Sequence, residues 1–211
     1  MGALRQVVRT FRRQYEDRGF VSMLALNKQQ FFGLLRACLV KILYAGRLKG
    51  GIFFMQAGSS IELLSRGARL SVGKFVFIRK NTSVRIDHRG ELLLGDHVFI
   101  NDNCTINCVG RMSIGAYTKI APNVCINDHD HNFRDARAGH LIVSDVTIGR
   151  HVWIGANAVI LRGTVIGDYA VVAAGSVVKG EVPAHTLYVN KRESRMIPIG
   201  QREPFPATAS I

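Results

Sequence analysis

The sequence predicts a mainly β fold: a parallel, three-sided coil of six-residue repeats preceded by an α-helical segment. Three observations predict it. From residue 148 an aliphatic residue recurs every six positions, at Ile148, Ile154, Ile160, Ile166, Val172 and Val178. The same register runs earlier in threes: Val72, Ile78, Val84, then Leu94, Ile100, Ile106, then Ile114, Ile120, Ile126. The interruptions always follow a third hexad, with four extra residues after Val84, two after Ile106 and sixteen after Ile126.

A strand period of two or a helical period of 3.6 does not reproduce this spacing. It requires an inward aliphatic on each flat side and small residues around it. The sequence supplies both, with Gly149, Gly155, Gly167 and Ala173 after the aliphatics and Val152, Ala158, Thr164, Ala170 and Ser176 four places on. Three hexads then make one turn, and each turn buries its aliphatics against the turns above and below. All insertions leave from one corner, including the longest, residues 127–147. An ordinary β-sandwich with chance spacing is the alternative, and it gives no reason for the small residues.

Ahead of the coil, residues 1–50 form a basic segment. The chain of 211 residues carries a formal net charge of +13. Ten Lys and Arg against Glu16 and Asp17 place +8 of it before residue 51. Such an excess points to a polyanion: nucleic acid, an anionic membrane or a phosphorylated cofactor. Phe31, Leu34, Leu35, Cys38, Leu39, Ile42 and Leu43 follow the spacing of one helix face. That face suits either an interfacial helix at a membrane surface or a helix packed on the first turn of the coil, covering its open edge. Arg36 and Lys41 break the longest apolar run, so no spanning helix is expected. Gln6 in MGALRQ lies where a myristoylation signal has Ser or Thr.

The domain reading is therefore a helical segment at 1–50, the coil at 51–189 with the inserted loop 127–147, and a basic tail at 190–211 holding Lys191, Arg192, Arg195 and Arg202. Cys38, Cys104, Cys108 and Cys125 show no paired spacing, and no cleavable leader is recognisable. Reduced thiols and a cytoplasmic protein, peripheral at most to the inner face of a membrane, are expected. Cys104 occupies an inward position and is expected in the core.

The stretches FINDNCTI (99–106), IGAYTKIAPNVCI (114–126), IGRHVWIGANAVILRGTVIGDYAVVAAGSVV (148–178) and EVPAHTLYV (181–189) resemble the left-handed β-helix, hexapeptide-repeat acyltransferases. Within that family they are similar to the galactoside, maltose and capsular or exopolysaccharide O-acetyltransferases. The left hand of the coil is carried by this resemblance, since the usual right-handed crossover rule would give the opposite. The resemblance implies a homotrimer with sites between coils and acetyl-CoA as co-substrate. The catalytic His of the family follows ten residues after the residue matching Ala121, which is His131. It implies acceptor contact at Asn101 and coenzyme contact at Trp153, Ala156 and Ala174, while His129 is the runner-up for the base and otherwise a candidate contact to the acceptor. Lys179, just beyond the last hexad, is the candidate for the coenzyme phosphates. VNKRESR (189–195) departs from the family's closing segment, and the small helical domain of the galactoside and maltose enzymes is not recognisable. The first departure bears on the adenine end of the coenzyme site, and the second favours a polymer or lipid-linked glycan acceptor over a free sugar.

The stretch INDHDHNF (126–133) concentrates two His and two carboxylates. A sugar hydroxyl attacking a thioester needs a base to take its proton, and a neutral imidazole suits that task. The oxyanion then needs a donor, such as a backbone N–H at a coil corner. If the segment is extended, His129 and His131 share one side and Asp128 and Asp130 the other. Once the loop bends, one carboxylate can orient an imidazole, although a solvated turn is the plainer expectation for both. Zinc is the rival reading, because γ-class carbonic anhydrases use a similar coil; here H-x-H with His97 as third ligand matches their spacing poorly, and no metal is expected. The expected function is acetylation of a saccharide hydroxyl in surface-glycan assembly. N-acetylation of an amino-sugar nucleotide and a non-catalytic β-helix scaffold are the alternatives. Nucleic-acid binding is not expected, since no stacking or groove-reading motif accompanies the charge.

Overall fold

A computed structural model of the chain describes residues 2–132 and 140–190. Three parallel sheets run along one axis, two of seven strands and one of six. The chain visits them in rotation. In one turn Glu91–Leu94 lies in the first sheet, Phe99–Ile100 in the second and Thr105–Cys108 in the third. Each inward aliphatic sits directly over its counterpart in the next turn. The register pairs Val72 with Leu94, Leu94 with Ile114, Ile114 with Ile148 and Ile148 with Ile166 in the first sheet. All fifteen hexad aliphatics named from the sequence are buried, as is Cys104. A parallel β-solenoid of about six turns follows from this stacking, because every strand except those at the ends pairs on both edges.

The corners differ in kind. Between the first and second sheets the turn residue is Phe75, His97, Tyr117, His151, Tyr169 or His185, each at φ between 55° and 62°. Their rings stack in sequence, with centroids 4.8–5.5 Å apart. Between the second and third sheets the same backbone is adopted by Asn81, Asn103, Asn123 and Asn157, a residue type that tolerates the left-handed region. The third corner takes every insertion. It holds Asp87–Gly90 and Val109–Gly110, and in the longest insertion an antiparallel hairpin of His129–His131 with Leu141–Val143.

One helix, Gly2–Leu43, precedes the coil and breaks its regular geometry at Gly19, where φ is 75° and ψ 167°. It rests against the strand Phe53–Met55 through a face of small residues, with Gly33 and Ala37 buried. A side chain at Gly33 would place its Cβ 3.2 Å from the Met55 carbonyl, so close approach selects this face. The stripe read from the sequence lies largely outward: Phe31, Leu35, Leu39, Ile42 and Leu43 are exposed. The helix does pack on the first turn, but not with its apolar stripe. Among the described residues no helix is long and apolar enough to cross a membrane. The tail residues Lys191, Arg192, Arg195 and Arg202 lie outside the described residues.

Candidate active site

The hairpin at the insertion corner begins where the strand Cys125–Asn127 ends and the chain must leave the coil. Asp128 makes that turn with a fully buried side chain. A buried carboxylate requires donors, and the preceding turn supplies them. The Val109 N–H lies 3.0 Å from both carboxylate oxygens and the Gly110 N–H donates to Oδ2 at 2.9 Å. These two amides are the short insertion after Ile106, so a small irregularity in one turn anchors the large one in the next. The third contact is to His129, whose Nδ1 lies 2.9 Å from Asp128 Oδ1. With Nδ1–H assigned by this partner, Nε2 is the free acceptor of the ring. The His129 side chain is 20 % exposed, enough to be reached and little enough to be held.

His131 lies two residues on, opposite Leu141 in the hairpin register, and is exposed. Its ring stands 5.1 Å from that of His140, edge to face at 70°. Asp130 faces the other way and accepts from Arg162 Nε at 2.7 Å. Arg162 belongs to the following turn, so Asp128 fixes the hairpin to the turn before and Asp130 to the turn after. Asp128 is not the solvated turn expected from the sequence, while Asp130 stays exposed beside its ion pair. Beneath them Cys108 is buried, and burial together with the Asp128 carboxylate pushes its thiol up. It remains a protonated thiol and supplies no nucleophile.

The other residues singled out from the sequence separate into two groups. Asn101, Ala156 and Ala174 line the corner between the second and third sheets, where the Gly175 N–H donates to the Ala156 carbonyl at 2.7 Å. Asn101 is half-buried there, and its Oδ1 accepts the Asp102 N–H at 2.9 Å. Trp153 projects from the outer face of the second sheet, between Lys119 and Val171 in register, and is 60 % exposed. Lys179 follows the strand Val177–Val178 at the insertion corner and is exposed. Within one chain the third sheet therefore separates Asn101, Ala156 and Ala174 from the histidine pair. His97 is far from the pair in the fold, stacked between Phe75 and Tyr117. No group of three metal-binding side chains comes together among the described residues.

Residues 145–180 match the family model for the bacterial transferase hexapeptide, six repeats. Relatives by sequence extend the likeness beyond that match. WbbJ of Escherichia coli strain K12, assigned as a lipopolysaccharide-biosynthesis O-acetyl transferase, is 38% identical over 110 residues, 47% of this chain and 56% of that protein. The galactoside O-acetyltransferase of the same strain is 32% identical over 106 residues, 49% of this chain and 52% of that one. The chain spans about half the length of these relatives. Among solved structures, the hexapeptide coil superposes on AntD, an N-acyltransferase from Bacillus cereus in complex with dTDP and 3-hydroxybutyryl-CoA. The TM-score is 0.60 at 20% identity, covering 74% of this chain and 83% of that chain. That likeness is one of fold.

The sequence left open that one of Asp128 and Asp130 orients an imidazole without saying which, and the Val109–Gly110 amides that hold Asp128 and Arg162 as the anchor of Asp130 were not reached from it. A signal for Asp128 was present in its adjacency to His129. What decided it was burial, which depends on the turn below.

Proposed function

We propose that the chain is an acetyl-CoA-dependent O-acetyltransferase that acetylates a hydroxyl of a saccharide in surface-glycan assembly. The observation that carries this is the histidine pair on the hairpin, held by a buried carboxylate at the insertion corner of a hexapeptide coil. Its relatives in sequence are named for O-acetyl transfer to galactosides and in lipopolysaccharide biosynthesis. The thioester is already activated, so no acyl-enzyme is required. The work left to the protein is to place the acceptor hydroxyl and remove its proton as the carbonyl is attacked.

On this reading His131 is the general base, by its place ten residues after Ala121. His129 and Asn101 contact the acceptor, Trp153, Ala156 and Ala174 line the coenzyme channel, and Lys179 meets its phosphates. The separation of these residues within one chain supports a homotrimer. The histidines at the insertion corner of one coil then face the Asn101 corner of its neighbour. A second assignment is favoured by one observation. His129 has the oriented Nδ1 and free Nε2 that a base requires, through Asp128 at 2.9 Å. The outward apolar stripe and basic character of the N-terminal helix support peripheral contact with an anionic membrane on the cytoplasmic side, near a lipid-linked acceptor.

The test is thioester cleavage, followed by release of free thiol, across a panel of saccharides and amino sugars. His131→Ala is expected to lower kcat/KM by about 10²-fold or more with the oligomer intact. A comparable loss in His129→Ala with His131→Ala active would move the base to His129. Full activity in both variants would overturn the histidine-base reading. Transfer only to amines would replace O-acetylation by N-acetylation.

A further inference from the structure

Away from the hairpin, the N-terminal helix and the first turns of the coil enclose a cleft of about 320 Å³. Lys28 and Arg36 reach it from the helix and Lys80 from the coil, and no Asp or Glu is in its wall. Among the described residues none of these three cations has a carboxylate partner. Arg36 makes one long contact, from Nη1 to the Met55 carbonyl at 3.4 Å, which leaves most of its donor fork unused. Asp102 accepts the Lys80 backbone N–H at 3.1 Å and pairs with Arg79, so the three side-chain charges meet in a cleft whose wall holds no carboxylate, and an anion of matching charge relieves their repulsion.

Two further features narrow the ligand. Gln56 lines this cleft and also a second cavity of about 180 Å³ that shares Gln29 with it and is walled by Phe54 and Phe77. Its Oε1 is buried and has no hydrogen-bond partner. A buried amide left open in this way is unusual, and a swing of its side chain into the cleft it lines would bring N–H donors to an anion there. The rim, in turn, is apolar. Phe32 lines the cleft and is also exposed, continuous with the outward stripe of Phe31, Leu35 and Leu39. An Arg fork with two ammonium groups suits a multiply charged tetrahedral anion, and the stripe suits a hydrocarbon attached to it.

We infer that this cleft binds a phosphoryl or diphosphoryl group carried on an apolar chain, the charged head between Lys28, Arg36, Lys80 and Gln56 and the chain along the outward face of the helix. A single isoprenoid diphosphate and a phospholipid headgroup in a bilayer share this chemistry. The inference deepens the membrane-proximal reading above. It is measured without thioester or sugar, so its failure would leave the acyltransfer reading standing.

The experiment uses the full chain with farnesyl diphosphate, inorganic pyrophosphate, and phosphatidylcholine vesicles with and without phosphatidylglycerol. Farnesyl diphosphate is expected to bind more tightly than pyrophosphate. The triple variant Lys28→Gln, Arg36→Gln, Lys80→Gln should weaken it by at least about tenfold. A control triple, Lys49→Gln, Arg69→Gln, Arg111→Gln, removes the same charge from the outer side of the first sheet and should change binding by less than about twofold. Binding only to anionic vesicles, lost in the cleft variant, assigns the head to a bilayer lipid. Equal affinity of the unaltered chain for pyrophosphate and farnesyl diphosphate assigns the site to phosphate alone and overturns the apolar part. Equal losses in both triples, or no binding of any probe by the unaltered chain, overturn the site. If the triple variant does not fold, Lys28→Gln with Lys80→Gln, which leaves the half-buried Arg36 in place, gives the same comparison.

Discussion

At the corner between the first and second sheets, turn after turn places an aromatic or imidazole ring on the ring before it. At the corner between the third and first sheets, the chain inserts four residues, then two, then sixteen. The first corner has six rings at positive φ. Each such backbone costs about 1–2 kcal/mol for an L-residue, while each stacked pair contributes about 0.5–1.5 kcal/mol. The two are of the same order, so the ladder offsets much of its own strain only while its members stay in line. The second corner has no such neighbour-to-neighbour constraint and can grow. Repetition holds the coil together, and the corner released from repetition carries the histidines.

The comparison breaks most sharply at Asp128. Removing its carboxylate leaves the Val109 and Gly110 N–H groups unpaired in a part-buried turn, at up to about 1–3 kcal/mol each. Asp128→Ala is expected to lose about 2–5 kcal/mol of stability in urea unfolding. Asp128→Asn keeps an acceptor oxygen and should lose less stability. It should still lower kcat if His129 is the base, because an amide can present the wrong group to Nδ1 and turn the ring or its tautomer. Unchanged kcat in a folded Asp128→Asn variant would leave Asp128 as an anchor of the hairpin only.

At the repeating corner the expected effect is smaller and confined to stability. Tyr117 stacks on both His97 and His151. Tyr117→Ala should lose about 1–3 kcal/mol through two stacked contacts. Tyr117→Gly should lose less, since glycine adopts the left-handed backbone without the steric penalty that alanine keeps. Urea unfolding and thioester cleavage on the same samples check this. An activity loss larger than the stability loss explains would give the ladder a part in the site.

How legible these two corners were in the sequence follows from what each depends on. The inward aliphatics were legible because each hexad repeats one chemical class, and the insertion corner because counting residues locates it. The ladder was present at a fixed place, three residues before Ile78, Ile100, Ile120, Ile154, Val172 and Tyr188. It was missed because Phe, His and Tyr do not read as one class until their rings are seen in contact. Asp128 was not legible, because nothing local says that a carboxylate beside two histidines will be covered by Val109 and Gly110 of another turn. The helix gave its apolar stripe correctly but not the side that packs. Close approach to Met55 favoured Gly33 and Ala37, and a count of hydrophobic residues cannot weigh that.

The smallest effect lies beside the ladder, where a carboxylate ties one turn to the previous one. Asp168 Oδ1 accepts the Arg150 N–H at 2.7 Å, and Oδ2 accepts from its guanidinium at 2.8 and 3.1 Å. The backbone N–H and then the side-chain bonds hold the Asp168 carboxyl below its ordinary range. A group whose folded pKa is lowered adds stability above its unfolded pKa, about 3.9, and loses it as pH falls through the lower folded value. The stability difference between the native chain and Asp168→Asn should therefore be level above about pH 5 and shrink below about pH 4. Both partners meet solvent, so added salt should shrink it as well. Thermal melting from pH 7 to pH 3 checks this. A difference near zero across that range would mean the pair contributes through the backbone hydrogen bond, which the asparagine retains, and not through its charge.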